Sequence, residues 1–79
     1  MVNEGILPRA ALRQVEARLT EAGCPDADFD AAELFRLAVG ADARLATAPL
    51  TAAQAAQLEA LTARRADREP LQYLCGRGP

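Results

Sequence analysis

The stretch Phe29-Asp30-Ala31-Ala32-Glu33-Leu34-Phe35-Arg36-Leu37-Ala38-Val39 decides the fold. Only Asp30, Glu33 and Arg36 in it are polar. At about 100° per residue, Leu37, Leu34, Ala38, Ala31, Phe35, Val39 and Ala32 fill well over half of a helical wheel. The three polar residues share the remaining strip, where Glu33 and Arg36 have the i,i+3 spacing of a weak pair. A helix this apolar needs cover from other elements, and its alanines let neighbours approach closely. Phe35 and Leu34 are therefore expected among the most buried residues.

Working outward, both flanks supply helices. Upstream, Leu12, Val15, Leu19 and Ala22 follow one helical face, Pro8 suits a first-turn position, and Gly23 can close the helix in a left-handed conformation. The turn to the central helix is short, which predicts antiparallel neighbours. Pro25 fits the first turn of the central helix. Asp26, Asp28 and Asp30 lie near its start, where negative charge meets the positive end of the dipole. Three acids so close raise the question of a cation site, but they lack the glycine and distal Glu of a calcium loop, and the dipole reading is preferred. Gly40 ends this helix.

Downstream, Asp42 to Thr47 is expected to form one or two short turns, with Asp42 as cap and Leu45 pointing inward. Thr51-Ala52-Ala53-Gln54 is a capping box. The helix it opens should run to Asp67 or Arg68, with Ala55, Leu58, Leu61 and Arg65 on one side. Arg64, Arg65 and Arg68 at its end read as a dipole-compatible terminus rather than a phosphate patch. Pro70 disfavours helical geometry at Glu69, so the helix must break there, and a last short helix is expected from Pro70 to Cys75. The fold expected is all-α: a small orthogonal or antiparallel bundle of about five helices, two of them short.

Composition agrees. Seventy-nine residues allow one domain with a modest core, and a net stability of about 4–12 kcal/mol. Nineteen alanines and eleven leucines against three aromatics favour helix over sheet. The net charge of −2 argues against a dedicated nucleic-acid binder. There is no His, which argues against general acid–base catalysis within these residues. Cys24 and Cys75 fit no metal-ligand spacing and read as small core or boundary residues, with a disulfide as the alternative. No run is long enough to span a membrane and no signal-peptide pattern opens the chain, so a soluble, cytoplasmic protein is expected.

The end of the chain is the most specific part. Glu69-Pro70-Leu71-Gln72-Tyr73-Leu74, with Gly76, resembles the signature that closes the N-terminal domain of HemK/PrmC methyltransferases. Weaker likenesses run along the chain: Ala22-Gly23 after a first helix, Asp30-Ala31 followed by Glu33-Leu34, and Pro49-Leu50-Thr51 opening a long helix with an Arg-rich end. One departure is Arg68, where the family usually has Gly. In a left-handed conformation it would cost about 1 kcal/mol relative to Gly.

The resemblance implies a substrate-recognition domain over residues 1–76, with 77–79 starting a linker. In the family a Rossmann-like methyltransferase domain follows. It carries a glycine-rich loop for S-adenosylmethionine (SAM) and an Asn-Pro-Pro-Tyr motif for the substrate amide. The substrate implied is the glutamine of the Gly-Gly-Gln loop of class I peptide chain release factors. Neither motif occurs in these 79 residues, so no catalytic, cofactor-binding or metal residue is carried onto them. The partners implied are the release factor and the methyltransferase domain, with no membrane and no direct nucleic acid.

Gln72 and Tyr73 are the candidate contacts. If Leu71 and Leu74 face the core, at least one of this pair faces away, and Tyr73 carries an interface-suited ring with a polar tip. Two other readings are a free-standing helical interaction or dimerisation module and a helix-turn-helix DNA binder; the latter conflicts with the acidic balance.

Overall fold

The computed structural model describes residues 2–68. They form three helices and, among these residues, no strand: α1 (Pro8–Glu21), α2 (Ala27–Val39) and α3 (Ala52–Ala66). The all-α expectation holds, but the count of about five helices does not carry over. Asp42–Thr47 is a turn rather than a helix, and the expected helix from Pro70 lies outside the described residues.

Each helix begins and ends where its sequence requires. Pro8 takes the first position of α1, where an N–H would be unpaired anyway. Gly23 follows that helix at φ +88° and Gly40 closes α2 at φ +82°, a region that strains any side chain bearing a Cβ. Pro25 precedes Asp26, the cap of α2, so it lies outside the helix and not in its first turn. The capping box of α3 is complete: the Gln54 N–H donates to Thr51 Oγ1 at 3.1 Å, and the Thr51 N–H donates to Gln54 Oε1 at 3.0 Å.

The core lies between the three helices. Ala11, Val15 and Leu19 come from α1, Ala31, Leu34 and Phe35 from α2, and Ala55, Leu58 and Leu61 from α3. Leu34 and Phe35 are fully buried, as the apolar face predicts. Leu12 and Ala22 fall at the edge of the α1 face, which is centred instead on Ala11, Val15 and Leu19. The outer face of α2 is less covered than its sequence implies: Phe29 is 59% exposed and Leu37 39%. The wheel contains more apolar residues than two neighbouring helices can cover.

The turn after α2 reverses one expectation. Asp42 does cap it: its Oδ1 accepts from the Arg44 N–H at 2.9 Å, and its carbonyl accepts from Leu45 and Ala46. However, Ala43 is buried and Ala46 partly so. Residues i and i+3 of a single turn share a side, so Leu45 is directed outward and is 80% exposed. The N-terminal segment is held by Gly5 N–H to Leu50 O at 2.8 Å and Leu50 N–H to Ile6 O at 2.9 Å, which places the starts of α1 and α3 together.

Candidate functional site at the junction of three helix ends

At the opposite end of the bundle lies Arg68, the residue that precedes the Glu69–Gly76 signature in the sequence. Here the C-terminal ends of α1 and α3 meet the N-terminal end of α2. α1 and α3 thus run in the same sense, with α2 returning between them. Four contacts define the junction. Arg65, in the last turn of α3, donates from Nη2 and Nε to Asp30 Oδ2 at 2.9 and 3.0 Å. The Cys24 thiol lies 3.9 Å from the Arg65 carbonyl. The Cys24 N–H donates to Leu19 O at 3.0 Å, tying down the turn after α1. Arg68 donates from Nη2 to Ala22 O at 3.4 Å.

The electrostatics are consistent. Asp30 sits in the first turn of α2 and Arg65 in the last turn of α3, so each charge lies at the helix end whose dipole favours it. This offsets part of the desolvation of a pair whose side chains are only 5% and 19% exposed. Arg68 likewise directs its guanidinium at the negative end of α1.

Asp30 corrects the sequence reading, which placed it on the polar strip with Glu33 and Arg36. It lies between Ala27 and Ala31 on the inward face, near Leu34, whereas Arg36 does face out and pairs with Glu33 at 3.4 Å. The signal was present: positions 27, 30, 31 and 34 share a helical face. With Asp30 turned inward the three acids do not converge, and among the described residues no group of three or more His, Cys, Asp or Glu is placed to hold a metal ion.

Arg68 has φ +68°, the single non-glycine residue in the left-handed region among those described. It occupies the position at which the long helix must break before Pro70. A Cβ added at Gly23 would lie 3.1 Å from the Arg68 Nη2, so a small residue at 23 and the side chain at 68 fit each other. Arg65 and Arg68 are both engaged in the fold, which supports the helix-terminus reading over the phosphate patch. Cys24 is buried and has no disulfide among the described residues. Gln72, Tyr73 and Cys75 lie outside them.

A second polar cluster, not foreseen from the sequence, crosses the bundle. Arg18 pairs with Glu59, whose other oxygen accepts from the Val2 N–H at 3.1 Å. Burial alone would raise the Glu59 pKa, but the Val2 N–H and Arg18 outweigh it and hold the carboxyl below its ordinary value. The cluster joins α1, α3 and the N-terminal segment.

A bundle of three helices among the described residues, with the ends of α1 and α3 meeting the start of α2, is the geometry to which the family comparison attaches. The family model for the PrmC N-terminal domain matches residues 10–76. The chain belongs to that family. It is an N-terminal domain of the PrmC/HemK type, and the match runs through the signature at 69–76. No curated protein and no solved structure matches the chain significantly. Among the described residues no helix is long and apolar enough to cross a membrane.

Proposed function

We propose that this PrmC N-terminal domain recognises the substrate of a SAM-dependent protein-glutamine methyltransferase. The substrate class is the Gly-Gly-Gln glutamine of class I release factors. Residues 1–76 form the recognition domain, 77–79 begin the linker, and the methyltransferase domain supplies the cofactor site and the chemistry. The family match over residues 10–76 carries this reading. Two features support a binding role for this portion. The chain has no His, and a buried charge pair among the described residues, Asp30 with Arg65, holds helix ends together. The junction thereby holds the end of α3 and Arg68 against α1 and α2; Gln72 and Tyr73, a few residues further along the sequence, are the proposed contacts with the methyltransferase domain or the release factor.

The test is retention of purified class I release factor on immobilised chain, with a release factor whose Gly-Gly-Gln loop is altered as the comparison. Retention of both is expected, because a recognition domain grips the factor outside the glutamine that the catalytic domain takes. Retention of neither would remove release-factor recognition from this domain.

A further inference from the structure

At the end of the bundle away from the junction, the start of α1 and the 43–47 turn form a groove. One part, of about 290 Å³, is lined by Arg9, Leu12, Arg13, Ala43 and Arg44. It adjoins a second depression that shares Arg9 and Arg44 and includes Leu7. Leu7, which lines that depression, is 56% exposed. The arrangement is an apolar floor with arginines along its rim. The two parts, about 290 and 280 Å³, form an elongated open depression rather than one enclosed cavity, which suits a few successive side chains of a docked segment.

The charges here are not explained by stability. Arg9 lies in the first turn of α1, whose dipole end is positive, and that turn holds no acid to offset it. The cap residue is Leu7, which supplies no side-chain hydrogen bond. Among the described residues Arg9 and Arg13 make no ion pair, and Arg44 has only the exposed Asp42 at 4.0 Å. In a chain of net charge −2, three arginines gathered on one apolar groove form a local positive field.

We propose that this groove is a docking surface for an acidic amphipathic segment of a protein partner, with leucine-type side chains entering the floor and carboxylates meeting Arg9, Arg13 and Arg44. The proposal is independent of the junction and of the methyltransferase reading. A second copy is a poorer occupant. The acidic, apolar outer face of α2, with Asp28, Phe29 and Leu37, has the right chemistry, but seating it in the groove of another copy is a head-to-tail contact, which builds rings or open filaments rather than the commoner two-fold dimer.

The test uses the chain and a labelled amphipathic helical peptide with leucines along one face and glutamates beside them, followed by fluorescence anisotropy. Binding is expected to weaken as salt rises. It should fall at least about tenfold in Arg9→Glu/Arg13→Glu, with thermal stability unchanged or raised because Arg9 opposes the α1 dipole. Leu7→Ser removes exposed apolar surface from the groove and places a good capping residue at the start of α1, so it should weaken binding with the fold intact. Arg36→Glu on α2 is the charge control and should leave binding unchanged. Equal affinity of the parent and the double variant would overturn the proposal, as would equal affinity for a lysine-for-glutamate peptide. Self-association abolished by the double variant would instead make the groove an interface between copies, and salt-sensitive DNA binding abolished by it would make the groove a nucleic-acid surface; either result overturns the proposal.

Discussion

Replacing Asp30 with leucine removes the acid of the pair and leaves the Arg65 guanidinium, 19% exposed, facing an apolar side chain. Breaking a buried pair by deleting one partner costs about 3–5 kcal/mol. Arg65 retains some contact with water, which places the expected loss near the lower bound, about 3 kcal/mol. That is a large share of the roughly 4–12 kcal/mol available to a domain of this size. At about 4–8 °C per kcal/mol the melting temperature should fall by roughly 12–24 °C. Arg65→Met should cost a similar amount, since it strands Asp30, which is only 4% exposed. The double variant, Asp30→Leu with Arg65→Met, should return to within about 1 kcal/mol of the parent, because an apolar pair fills the site without desolvating charge. Urea titrations of all four proteins, followed by far-UV circular dichroism, give the coupling directly. Additive single effects, with coupling below about 0.5 kcal/mol, would mean that the junction is held by packing alone.

Three further outcomes follow from the same geometry. Thr51→Ala removes the oxygen that accepts from Gln54 and should lower stability by about 1 kcal/mol, read by urea titration. Arg68→Gly relieves a left-handed side chain but loses the long bond to Ala22 and gains unfolded-state entropy, so the net change should lie between zero and about 1 kcal/mol of stabilisation; a clear loss in the melt would show that the Arg68 contact outweighs the strain. The lowered pKa of Glu59 means that its contribution is complete above the ordinary value of 4.5 and is lost as pH falls through the lowered folded value. Glu59→Gln should therefore flatten the acid side of the stability–pH curve and leave its slope near neutrality unchanged.

Much of this fold was legible because local signals stand close to their consequences. Gly23 and Gly40 follow helices, Thr51 and Gln54 lie three apart, and Leu34 and Phe35 sit at the centre of an apolar face. Arg68 was legible for the same reason, since Pro70 forces a break just after it. What escaped depends on distant partners. Asp30 turns inward because Arg65 waits 35 residues away. Arg18 meets Glu59 across 41 residues. Leu45 points out because Ala43 and Ala46 occupy the inner side of a turn too short to have a periodicity of its own. The groove at Arg9, Arg13 and Arg44 is assembled from two separate segments, so spacing along the chain gives no sign of it.

The recognition reading is tested most directly at Tyr73, by the rate of methyl transfer to a class I release factor. The enzyme carrying this domain is compared with its Tyr73→Ala variant, and the thermal stability of the 79-residue chain with the same change is measured in parallel. The account predicts that kcat/KM falls by about tenfold or more, as for the loss of a buried interface aromatic, while the melting temperature of the chain stays nearly constant. An unchanged kcat/KM with a destabilised chain would contradict it, placing Tyr73 in the core and leaving the domain without its proposed contact.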